Sequence, residues 1–292
     1  MKNTWTGAVC LSLAASIWGG MYVVSKYVLD YIPPLTLVWL RFAIAAVVLF
    51  VIVNIMHKGK KPKYTKGDYL IFARIGFIGY FVSITCQFVG IKLSDAHTGA
   101  LITSATPAFV VLFARLILKE KITARKMISV FLATIGVLIV IGMGDTHDAS
   151  ISGSLFLVMA AVTWALLSVY VKIASKRFSS LTITAYAILF AVLFTFPFMI
   201  MELKMHTISN LNPLVVGGLL YLGIVSTAGA FFLWNKGMEL LDAGAGSLFF
   251  FFQPLTGAFF GWLLLNEALS LSFFLGGVFI IAGVLLVSLK KE

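Results

Sequence analysis

The sequence predicts an all-α polytopic membrane protein with ten transmembrane helices, arranged as two inverted five-helix repeats. Three observations carry that reading. Of the 292 residues, 61% are hydrophobic and 11% charged, and the mean hydropathy is +1.04, which leaves too little polar surface to cover a water-soluble globule of this size. One stretch of 31 residues occurs twice. The basic residues, which give a net charge of +11, gather in short loops between apolar runs, where they set membrane topology rather than bind nucleic acid.

Reading each run of about 20 apolar residues as one span gives 6–29, 34–56, 69–92, 97–118, 125–143, 152–174, 180–201, 213–236, 243–265 and 271–289. The first run follows Lys2 and contains Leu13-Ala14-Ala15-Ser16, a pattern found at export-signal cleavage sites. It continues to Leu29, however, and a similar segment recurs internally around Trp164, so it reads as a retained span. The connections are short, and the longest, the Lys-rich Met56 to Asp68, is too small to be a domain. Cys10 and Cys86 lie inside apolar runs; they make neither a disulfide framework nor a zinc site and read as packing residues.

The duplicated stretch runs from Gly90 to Glu120 and again from Gly237 to Glu267, without a gap, at an offset of 147. Ten positions are identical, among them Asp95/Asp242, Pro107/Pro254 and Glu120/Glu267. Apolar composition can match leucines, but it has no reason to repeat a proline and two acids at the same spacing. Earlier parts correspond too: Trp18 matches Trp164 and Lys26 matches Lys172 at offset 146. The chain therefore divides into repeats at 1–146 and 147–292. With a cytoplasmic N-terminus, 18 of the 22 Lys and Arg fall on the inner side and four, Lys26, Arg41, Lys92 and Lys204, on the outer, which places both termini inside a cell membrane. A five-span unit crosses an odd number of times, so its second copy enters from the opposite side. Such inverted repeats place a substrate site between the halves near the midplane, where rocking gives alternating access.

Several side chains are suited to line such a site. Pro107 and Pro254 lack an amide proton, so the carbonyls of Thr103 and Phe250 lose their helix partners; in lipid these kinks must face protein or water, as hinges or cavity wall. On span 3, Tyr80, Ser83 and Gln87 share a face, with Thr227, Ala230 and Trp234 at the equivalent positions of span 8. Gln87 lies well inside its span and needs a helix partner, water or substrate. Thr103 and Thr106 flank the first kink, and Gln253 is the counterpart of Thr106. Each could instead bond a neighbouring helix. The aromatic set comprises Trp18 with Tyr22, Trp164 with Ser168, and Phe231, Trp234 and Phe249 to Phe252, a lining that suits planar or amphipathic solutes unless it is simply core packing. Arg41 could bind a substrate carboxylate or pair with a carbonyl between helices; the structural role is favoured, and Lys26 reads as snorkelling outward.

Trp18-Gly19-Gly20, Leu40-Arg41-Phe42, the paired helices that run from Ala100-Leu101 to Pro107 and from Ser247-Leu248 to Pro254, and the closing Lys119-Glu120 and Asn266-Glu267 together resemble the EamA-type members of the drug/metabolite transporter superfamily. The resemblance implies ten helices in two inverted repeats, cytoplasmic termini, and a central cavity lined by the first, third and fourth helices of each repeat. It also implies transport, often export, of small metabolites such as amino acids. Two departures break the symmetry: Trp164-Ala165 stands opposite Trp18-Gly19, and Ala187 opposite Arg41.

No span carries a carboxylate at mid-depth, the histidines lie in loops and there is no phosphate-binding GxxxxGK[ST] loop, so neither the usual proton relay nor ATP is expected to drive the chain. Paired catalytic groups at depth are also missing, so the expectation is not an enzyme. No cofactor or metal is implied. The Gly257 to Gly261 GxxxG reads as packing within the bundle, and the chain as a monomer with a small-molecule substrate and the lipid bilayer as partners and no nucleic acid. A non-transporting sensor or assembly subunit is the alternative.

Overall fold

The computed structural model describes residues 2–56, 63–93, 102–103, 105–141, 151–209, 211–265 and 271–288. Among them, ten helices follow one another: α1 (Lys2–Val28), α2 (Pro34–Met56), α3 (Lys66–Leu93), α4 (Thr106–Leu118), α5 (Ala124–Ile141), α6 (Ile151–Ala174), α7 (Ser180–Met205), α8 (Pro213–Leu240), α9 and α10 (Leu271–Ser288). The ninth begins as Ala243–Ser247, tightens into a 3-10 turn at Leu248–Phe251 and continues as Phe252–Leu265. Six of these helices, α1, α2, α3, α6, α7 and α8, are long and apolar enough to cross a membrane. Large apolar side chains such as Val51, Ile55, Leu155, Leu214 and Val278 face outward, as lipid requires and water would penalise. Asp95, Glu267, His57, His97 and His147 lie outside the described residues, while His206 follows α7 directly.

Local chemistry sets the ends. Thr65 accepts from the Asp68 amide and Asp68 accepts from the Thr65 amide; this reciprocal cap starts α3 at Lys66, three residues before the apolar run begins. Ser179 and Asn212 cap α7 and α8 by accepting from the Thr182 and Val215 amides, and Pro34 and Pro213 occupy first-turn positions where a missing amide costs nothing.

The packing pattern survives exchange of the halves. Helix α1 packs on α8 and α9, and its counterpart α6 packs on α3 and α4; α2 packs on α7, and α5 on α10. Neighbouring residues give the directions. Gly7 lies against Leu240 and Leu241, and Gly218 against Val24 and Val28, so α1 and α8 are antiparallel. Gly90 meets Leu157 and Gly79 meets Leu167, so α3 and α6 are antiparallel. The far end of α6 reaches the far end of α8, where Lys172 Nζ donates to the Glu239 and Leu241 carbonyls at 3.1 and 2.5 Å. Helix α6 thus ends where α1 begins, and the first helices of the two halves run in opposite directions.

Candidate functional site

Both third helices change their winding at matching places. Helix α3 is π-helical over Gly76–Ser83 and α8 over Tyr221–Gly229, close to the register of the repeat. A π-turn shifts backbone hydrogen bonds from their usual partners and leaves carbonyls available to side chains. The Ser226 carbonyl accepts from Trp18 Nε1 at 3.0 Å, and the Leu222 carbonyl accepts from Thr227 Oγ1 at 2.6 Å. The broken fourth helices are mended by different means. Thr106 Oγ1 donates at 2.6 Å to the Thr103 carbonyl, which Pro107 has no amide proton to serve. Before Pro254 the 3-10 turn lets the Phe252 amide serve the Phe249 and Phe250 carbonyls.

Between these elements lies a cavity. Of the residues singled out in the sequence as lining, Trp18, Ser83, Gln87, Thr103, Thr106, Trp164, Phe231, Phe250 and Gln253 line it. Met21, Arg41, Ile84, Ala160 and Ala161 complete the walls. Its free volume is about 30 Å³, room for a water or two and too little for a metabolite. The aromatic rings account for the narrowness. Trp18 stands edge-on to Trp164 at 5.2 Å across the two halves, with Phe231 and Phe250 at 5.7 and 5.8 Å from Trp18.

The remaining candidates sit behind the wall. Tyr22 receives a hydrogen bond from Gln87 Nε2 at 2.9 Å and bonds Thr103 Oγ1 at 3.1 Å. In the other half the equivalent pair repeats the contact, Trp234 Nε1 donating to Ser168 Oγ at 3.4 Å. Ser168 in turn donates to the Trp164 carbonyl. Tyr80 stacks on Phe231 at 4.7 Å and accepts from Asn235 Nδ2 at 2.9 Å. Thr227 accepts from Arg41 Nε at 2.8 Å. Phe249 stacks on Phe252 and reaches neither network.

Sequence reasoning left Arg41 out of the lining, because span 2 is peripheral in the resembling fold, yet its side chain crosses to the cavity from α2. Asn235 and Glu202 also went unremarked. Asn235 is fully buried and joins Tyr80 to Thr184. Glu202, near the end of α7, accepts from the Leu35 and Thr36 amides at 3.1 and 2.6 Å and fixes the start of α2. Their partners lie 51 to 167 residues away, and no local pattern announces them.

Basic ends of α4, α5, α6 and α8 gather on one side. Glu120, at the end of α4, accepts from the Ala243 and Gly244 amides at the start of α9 at 2.9 and 3.1 Å, and Lys126 approaches it at 3.4 Å. Lys172 holds the end of α8 as described above. The Lys119-Glu120 signature is thus a clamp from one half to the other.

Comparison with known proteins agrees with this architecture. The model of the EamA-like transporter family matches twice, over residues 5–142 and 151–289. The chain is 28% identical over 296 residues to the uncharacterized transporter YetK of Bacillus subtilis (strain 168), covering all of this chain and 89% of that protein. It is 27% identical over 288 residues to an uncharacterized transporter of Archaeoglobus fulgidus, covering 97% of each. A solved structure, described only as the crystal structure of a protein, shares the fold with a TM-score of 0.78 at 17% identity, over 97% of this chain and 96% of that one. Two family matches that span both halves, and helices faced for lipid, make this chain a multi-pass membrane protein of the EamA-like transporter family.

Proposed function

We propose that this protein is a secondary transporter that carries a small metabolite, such as an amino acid, across the cell membrane by alternating access. Its ten helices cross as two inverted five-helix repeats with both termini in the cytoplasm, and a monomer suffices because the site lies wholly between its own halves. The observation that carries this reading is the cavity. Side chains from the first, third and fourth helices of both halves line it, and Ser83, Gln87, Thr106 and Gln253, with Arg41 from α2, bring polar groups inside a body otherwise faced for lipid, where unneeded polarity is costly. The contracted volume fits a carrier caught between loadings, whose walls must part to admit solute. The Glu120 clamp would then hold the cytoplasmic side shut and release when the halves rock, while Lys172 ties α6 to the end of α8 within the second half. Pro107 and Pro254, beside the cavity, supply the bends.

Counterflow into proteoliposomes preloaded with single metabolites tests the proposal. Saturable exchange of at least one amino acid, amine or organic acid is expected. Flux no greater than in empty liposomes across such a panel would remove the reading.

A further inference from the structure

Arg41 is fully buried, yet no carboxylate bonds it among the described residues. Its five N–H groups find three acceptors: Thr227 Oγ1 at 2.8 Å, Ser226 Oγ at 3.3 Å and the thioether of Met21 at 3.6 Å. The Phe88 ring lies 5.2 Å from the guanidinium carbon. Hydroxyls, a sulfur and a ring face orient the cation without neutralising it, and sulfur is a weak acceptor. An uncompensated charge at such depth is among the most expensive placements a membrane protein can hold. It lies on the cavity wall.

A second unused donor belongs to a residue of the same wall. Trp164 is 6% exposed and its Nε1 has no partner among the described residues, whereas Trp18, its counterpart, spends the same group on the Ser226 carbonyl. The two-fold-related side explains why the charge is single. There Ala187 replaces Arg41, and Tyr80 and Asn235 take the places of Thr227 and Phe88. A long cation beside a short hydroxyl on one side becomes a short methyl beside a long phenol on the other, so volume is kept and charge is not.

We infer that Arg41 and Trp164 Nε1 form the carboxylate-binding end of the site, and that the substrate is a small organic acid or the carboxylate end of an amino acid. The inference rests on the transporter reading and narrows its substrate class. A carboxylate offers two oxygens in the plane that a guanidinium fork matches, and it supplies the missing negative charge. The rings of Trp18, Trp164 and Phe231 then face the body of the solute. An amine lacking a carboxylate meets Arg41 as a like charge and is turned away.

The test uses matched probes on the intact protein: 3-phenylpropionate, L-phenylalanine and 2-phenylethylamine, with the corresponding aliphatic and imidazole series. Saturable thermal shifts are expected from acids and amino acids and none from the amines. Arg41→Met, close in volume, should weaken acid binding roughly 30-fold or more, as loss of one partner of a buried charge pair does, and Arg41→Lys should recover part of it. An amine binding as tightly as its acid, no shift from any acid, or an unchanged acid Kd in Arg41→Met would each overturn the inference. Saturable counterflow of amines alone would overturn the substrate class and leave transport standing. Acid binding without counterflow would do the reverse.

Discussion

At the scale of single residues the two halves differ most where they touch. Gly19 presses α1 against α9: a methyl group built there would come within 2.6 Å of the Gln253 carbonyl and 2.7 Å of the Gly257 amide. At the equivalent positions of α6 and α4 stand Ala165 and Val110, side chains that leave no room for so close an approach. Gly19 is therefore needed for close approach rather than for backbone freedom, and Gly257 of the GxxxG packs inside the bundle. Gly19→Ala should lower stability by roughly 1–3 kcal/mol, the usual cost of overpacking. Gly217→Ala is the control, since nothing lies within 4 Å of its added methyl and a helical alanine is favoured over glycine by roughly 0.5–1 kcal/mol. Thermal melts in detergent should separate the two by sign. Equal melting temperatures would mean that α1 and α9 can part without loss.

At the scale of elements, helices end by borrowing from the other half. Glu120 serves two amides of α9 that have no partner within their own helix, and it does so at a positive helix end where a carboxylate is most favoured. Glu120→Ala should cost roughly 0.5–2 kcal/mol, the range for a lost cap. Glu120→Gln keeps an acceptor but leaves Lys126 unpaired, and should fall between. Denaturant or thermal unfolding checks the order, and an alanine variant as stable as the parent would show that the clamp holds nothing. The repeated glutamate and the two prolines were visible in the sequence because their chemistry is local to a helix. What the glutamate grips was not, because its partner lies 123 residues away. The π-helical stretches of α3 and α8 were equally hidden, since a sequence rich in Gly, Val and Ser reads alike for either winding.

At the scale of the whole molecule, one packing scheme is used twice with different side chains. Apolar runs and a shared register were enough to place the helices and to name nine of the cavity's residues, because both follow from periodic chemistry. Arg41 escaped because its role depends on how α2 leans across α8, which no spacing encodes. Exchange of the halves also makes an experimental demand. Asp30 and Lys176 follow the first helix of their respective halves at equivalent positions and are both exposed, yet α1 and α6 run in opposite directions. In a background lacking Cys10 and Cys86, a cysteine at position 30 should react with a membrane-impermeant maleimide in intact cells. One at position 176 should react only after permeabilisation. Reaction of both from the same side would mean that the halves enter the membrane in parallel, and a site shared between mirrored walls could not exist. If position 176 labels from outside and 30 does not, the halves are still inverted and the termini face outward, against the distribution of lysine and arginine.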